Sequence, residues 1–188
     1  MVKEKELGRS QIVQIVRQWL EQVVIGLNLC PFVVEPWHKE QLRIRVSDAR
    51  TEEELIHDLH AELTLLDRIH PDILETTILI VPHLFTEFEA YNEFLPLADL
   101  LLQEFGWEGD YQIASFHPRY RFAGTESGDP ENLTNCSPFP LLHILREHSI
   151  SLALANYPNP EQIPERNIQT VQALGPEEKQ QLFPYLMP

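Results

Sequence analysis

The chain has 188 residues, 43% of them hydrophobic, with a formal net charge of -15 and a pI near 4.8. That size suits one globular domain, 1–188, with its own core; the acidic balance excludes broad attraction to nucleic acid or an anionic membrane, which needs clustered Lys and Arg. Two cysteines are too few for a disulfide framework, and a charged start (residues 1–6) with no apolar run of membrane-spanning length points to a soluble cytoplasmic protein with reduced thiols.

Ile12, Val16, Trp19, Leu20, Val23, Val24 and Leu27 recur at three- and four-residue steps, which predicts a first helix capped by Ser10 and ending near Asn28. Leu42, Ile44 and Val46 alternate with Arg43, Arg45 and Ser47, the period of a strand with one solvated face. Residues 51–70 return to helical spacing through Leu55, Leu59, Leu63 and Leu66, with three Glu in the first turn and Pro71 as the stop. The histidines at 57 and 60 share this helix with Glu54, Asp58 and Glu62, which reads as a solvated face. Residues 76–81 are β-branched and almost continuously apolar, as in a buried strand that stops at Pro82-His83.

A helix over 85–105, kinked at Pro96, leads to a third strand over 111–116. A long polar stretch follows, then Ser137 and Pro138 are read as the cap and first residue of a further helix carrying Leu141, Leu142 and Leu145. From about 158 to 188 the chain is Pro-rich and reads as a wrapping segment with a short helix near Ile168 to Leu174. Strands separated by helices imply an α/β fold, a small and mostly parallel sheet of three or four strands flanked by helices. In parallel sheets ligands collect beyond the carboxyl ends of the strands. Asp48, His83 and His117 all follow such ends.

The segment from Phe116 to Glu147 concentrates the chemistry, because so long a polar connection in a compact domain usually binds or catalyses something. His117, extended by the following Pro118, is a candidate general acid or base. Arg119 and Arg121 alternate with Tyr120 and Phe122 and form a candidate anion clamp; the competing reading is pairing with surplus surface carboxylates. Asp129, Asn132 and Asn135, at three-residue spacing, would orient an imidazole or substrate, or simply organise the loop through Asx turns. His143 is a further candidate substrate contact. Cys30, between Leu29 and Pro31, is a buried apolar thiol or a ligand. Phosphate-loop, dinucleotide, nucleophile-elbow and zinc-protease motifs are absent.

Gly26-Leu27-Asn28-Leu29-Cys30-Pro31-Phe32, Ser115-Phe116-His117-Pro118-Arg119-Tyr120-Arg121-Phe122-Ala123-Gly124, the run from Asp129 to Glu147 and Ile163-Pro164-Glu165-Arg166-Asn167 together resemble DUF1415, a bacterial family of uncharacterised proteins. The resemblance spans nearly the whole chain and implies no activity. The family pattern carries Arg where this chain has Cys136 and Tyr where it has Phe139, which implies that Cys136 is no required nucleophile and weakens any anion clamp.

Three functions are therefore expected to compete. The first is an enzyme acting on a small anionic molecule, with His117 as acid or base, Arg119 or Arg121 on the anion, and Asp129 or Asn135 orienting. The second is a metal- or haem-binding protein using His117 with Cys30, His83 or His143. The third is an interaction module anchored by Tyr120, Phe122 and Phe139. A small-molecule ligand is the expected partner.

Overall fold

The computed structural model describes residues 7–186; the charged segment 1–6 lies outside them. Helix α1 (Arg9–Trp19) passes directly into a π-helical stretch, Leu20–Ile25, so the predicted first helix changes its winding part-way. Gly26 ends that stretch, where a Cβ would meet the carbonyl oxygen of Gln22 at 2.4 Å. Asn28 then takes a left-handed backbone (φ 53°), which Asn tolerates better than most residues. The chain reverses into helix α2 (Pro31–His38), with Pro31 in the first turn, where a missing N–H costs nothing. The Gly26–Phe32 motif is thus a helix-to-helix corner.

Strand β1 (Leu42–Val46) and helix α3 (Glu52–Arg68) follow. Thr51 and Glu54 form a reciprocal capping box at 3.2 Å in each direction. The expected solvated face of β1 keeps Arg43 and Arg45 partly in water, and α3 lines the rest of it. Arg43 grips the buried carboxylate of Glu62 through Nε at 2.8 Å and Nη2 at 3.2 Å, and Ser47 Oγ donates to Asp58 at 2.5 Å. Polar residues on the strand and polar residues on the helix satisfy each other there, so the alternation marks a face that is half-exposed and half a polar interface.

Strand β2 (Thr76–Ile80) is buried throughout, helix α4 (Phe88–Glu104) contains Pro96, and strand β3 is Tyr111–Phe116. The fourth strand, β4 (Leu141–Arg146), replaces the helix expected after Ser137. Pro138 and Pro140 disfavour a helical backbone just before it, and Leu141, Leu142, Ile144 and Leu145 are apolar because both faces of the strand are covered. Their spacing imitates a helix only because the intervening residue is a buried histidine.

The sheet order is β1-β2-β4-β3. β1 pairs parallel with β2, whereas β4 runs antiparallel to both β2 and β3. The sheet is therefore mixed rather than mostly parallel, yet β1, β2 and β3 still point the same way and their carboxyl ends share one edge. Helices α3 and α4 pack on one face over Leu79, Leu142 and Ile144. The other face carries α1, its π-helical extension and two helices of the tail, α6 (Ile163–Ala173) and α7 (Pro176–Leu182), over Val46, Ile78, Ile80 and Leu141. Helix α5 (Glu147–Ala155) continues directly from β4.

Candidate functional site

At the shared carboxyl edge a cleft of about 510 Å³ opens between four segments. Pro82 and Phe85 enter from the loop after β2, His117 to Arg119 from the loop after β3, Pro138 to Pro140 from the approach to β4, and Tyr185 with Leu186 from the chain end. Apolar side chains are the most numerous in its lining, but His117, Arg119 and Thr86 bring in nearly as much polar surface. The volume falls within the range of small-molecule sites.

His117 is 1% exposed and both of its ring nitrogens are engaged. Nδ1 accepts the backbone N–H of Arg119 at 2.9 Å, so Nε2 carries the proton and donates it to the carbonyl of Phe85, also at 2.9 Å. Burial pushes its pKa below the ordinary histidine value; the Phe85 carbonyl opposes that shift, and the Arg119 guanidinium adds to it. The ring packs against Phe88 and Tyr91 at centroid distances of 5.5 and 5.3 Å. Phe85 itself has φ 63°, a left-handed backbone that is a real outlier for an aromatic residue.

Tyr91, on α4, completes the sheet beside this histidine. Its hydroxyl accepts the N–H of Phe116 at 3.2 Å and donates to the carbonyl of Leu141 at 2.8 Å, bridging the paired ends of β3 and β4. Burial pushes the phenol pKa up. In sequence Tyr91 is one more residue of an apolar helical stripe, and nothing local separates it from a core aromatic.

The other expected residues fall into distinct groups. Arg119 pairs with Glu87 at 2.8 Å and Arg121 with Glu89 at 2.7 Å, both on the surface, and of the two only Arg119 lines the cleft. Tyr120 packs between Phe88 and Phe122, each 5.0 Å from its ring. Asn132 is 2% exposed and ties the loop together: Oδ1 accepts from the Phe122 N–H and the Thr125 hydroxyl, and Nδ2 donates to the Glu126 carbonyl at 2.7 Å. Asp129 accepts from the Glu126 N–H at 2.8 Å, and Asn135 donates to the Ser115 carbonyl at 3.0 Å. Helix α6 braces the 3-10 turn Pro130–Asn135 that carries the two asparagines. These three side chains staple the loop and do not line the cleft. Ser137 caps no helix; its hydroxyl donates to the Phe139 carbonyl at 2.6 Å.

His143 lies in the middle of β4, opposite Ile78 and Ala114, and away from the cleft. The hydroxyl proton of Thr76 goes to the Ile144 carbonyl at 2.5 Å, so His143 Nε2–H must be the donor in its 2.8 Å bond to that hydroxyl. Burial pushes its pKa down to about 4. Cys30 precedes α2, and its thiol takes backbone hydrogen bonds from Phe32 and Val33; these favour the thiolate, but burial outweighs them and raises the pKa. His83 is half-buried outside the cleft, and Asp48 forms a surface ion pair with Arg9. Among the described residues no group of three or more His, Cys, Asp or Glu side chains is arranged to hold a metal ion. No helix among the described residues is long and apolar enough to cross a membrane.

The cleft residues that sequence reasoning missed are Phe85, Tyr185 and Leu186, together with the prolines on either side of Phe139. Tyr185 also donates its hydroxyl to the Cys136 carbonyl at 3.1 Å, the same oxygen that accepts Trp19 Nε1–H. No curated protein and no solved structure matches this chain. The model of the family described as proteins of unknown function, DUF1415, matches residues 11–181, and the chain belongs to that family.

Proposed function

We propose that this protein binds a small organic acid in the cleft at the carboxyl edge of its sheet, with an apolar, ring-like body against Phe139 and a carboxylate meeting Arg119. The single observation that carries this reading is the convergence of four segments on one cleft of about 510 Å³ with mixed apolar and polar walls and the Arg119 guanidinium at its rim. Arg119 already pairs with Glu87, so the incoming carboxylate exchanges one anionic partner for another. His117 is a positioning residue in this reading. With both nitrogens used, it fixes the backbone of Arg119, which would touch the ligand, and of Phe85, which lines the cleft.

A second reading, proton transfer by His117 in an enzyme, is favoured by the left-handed backbone of Phe85. Backbone strain of about 1–3 kcal/mol persists only where its surroundings enforce it, and often at functional sites. Ligand binding that shifts the Phe85 carbonyl would free Nε2–H for chemistry.

Benzoate is the simplest probe. Glu87→Gln should tighten its binding, because it removes the competing carboxylate, whereas Arg119→Gln should weaken it by about tenfold, the loss of one charge-assisted hydrogen bond. Equal affinities in wild type and both variants would defeat the proposal.

A further inference from the structure

A second cleft, of about 560 Å³, lies on the opposite side of the molecule, where α2 and α5 flank the amino end of β2 and the carboxyl end of β4. Phe32 and Pro36 of α2 form one wall, Leu152 and Ala153 of α5 the other, and Leu145 is apolar as well. Two independent features single it out. Helix α5 buries none of its residues although Ile150, Leu152, Ala153, Leu154 and Ala155 make most of it apolar, and Leu152 is 55% exposed. Apolar surface on this scale is normally covered by something.

The second feature is chemical. Arg146 lines this cleft, and its Nε–H is buried with no hydrogen-bond partner. The rest of the guanidinium cannot turn to satisfy it: Nη1 donates to the Tyr111 hydroxyl at 3.0 Å, and Nη2 serves the carbonyls of Leu66, Ile69 and Leu74 at 2.6, 2.9 and 3.2 Å. The carboxylate of Glu75, also in the cleft lining, stands 3.9 Å from Nε, too far for a hydrogen bond. Its backbone is held in turn, with its N–H donating to the Gln41 carbonyl at 2.9 Å. A fixed donor and a nearby acceptor are thus left without a direct bond.

A group that serves both must accept from Nε–H and donate to the carboxylate. An anion would meet Glu75 and a cation would meet Arg146, so neither suits the pair. We propose that this cleft binds a neutral molecule bearing a hydroxyl or primary carboxamide on a small apolar body, the head between Arg146 and Glu75 and the body against Phe32 and Leu152. This site is separate from the acid-binding cleft at the other edge and takes a neutral head where that cleft takes an anion.

The test uses the full chain and three isosteric probes, benzamide, benzoate and benzamidine, followed by backbone amide resonances. Benzamide should shift Gln41, Thr76, Arg146 and Ser149 saturably, and at these positions bind at least roughly tenfold more tightly than either charged probe, the discrimination expected of a site built around a donor and an acceptor. Leu152→Asp, on an exposed wall where folding is not at stake, should weaken benzamide by a similar factor. The proposal is overturned if no probe shifts these positions, which would mean that only solvent fills the gap. It is equally overturned if a charged probe binds there as tightly as benzamide, or if Leu152→Asp leaves the benzamide affinity unchanged.

Discussion

His117 donates its Nε2–H to the carbonyl of Phe85 at 2.9 Å, and Phe85 presents that carbonyl from a left-handed backbone with φ 63°. The bond joins the loop after β2 to the loop after β3, and so sets the width of the cleft between them. Replacing His117 with Ala should leave a buried carbonyl and the Arg119 N–H unpaired, at a cost of about 2–4 kcal/mol in urea unfolding. His117→Gln keeps an N–H donor of similar reach and should recover part of that loss. If His117 positions only, the Gln variant keeps most of the benzoate affinity; if it transfers protons, the variant binds but turns nothing over.

Tyr91→Phe removes one hydroxyl that serves both β3 and β4. The Phe116 N–H and the Leu141 carbonyl, on residues paired in the β3–β4 register, then lose the hydroxyl that bridges them, which should cost about 1–3 kcal/mol. Amide exchange should show the effect at its largest at the Phe116 N–H, the amide that donates to the lost hydroxyl.

Acidification should destabilise the fold through His143. Its pKa is about 4 in the folded protein against an ordinary value of 6.5, so between those limits the unfolded chain binds the extra proton. The stability tied to the neutral ring is complete above the unfolded pKa and is lost as pH falls from about 6.5 towards about 4, a difference worth about 3 kcal/mol. His117, whose pKa is also lowered, acts in the same direction. Urea midpoints across this window should fall steeply for wild type and less steeply for His143→Gln; parallel slopes would show that His143 is not the source.

Gly26→Ala tests the reading of the first motif as a corner. The added methyl would sit 2.4 Å from a backbone oxygen, which cannot move aside as a side chain could. A loss of at least about 2 kcal/mol in denaturant unfolding is expected, without any direct effect on the cleft.

Strand β1 and the helices α1, α3 and α4 are legible because each carries a period of its own, and β2 because its β-branched apolar run stops at Pro82-His83. β4 is not legible, because it is rich in Leu rather than β-branched residues and Leu141, Leu142 and Leu145 fit a helix as well as a strand. Helix α2 was missed because eight residues with Pro31 and Pro36 show too little period to read. At the site, sequence identified His117 and Arg119, which line the cleft, but could not tell them from Asn132 and Asn135, which hold the loop. The composition of a polar loop does not reveal whether its polar groups satisfy one another. Phe85 and Tyr185 carry no local signal at all, since their place in the cleft depends on how distant segments meet.

The central claim, that the carboxyl-edge cleft takes a small organic acid at Arg119, is tested most directly by titrating the full chain with benzoate and following backbone amide resonances. The account predicts saturable shifts at Thr86, Arg119, Phe139 and Tyr185 that weaken sharply in Arg119→Gln. Benzoate shifts confined to other parts of the surface, or none at saturating probe, would contradict it.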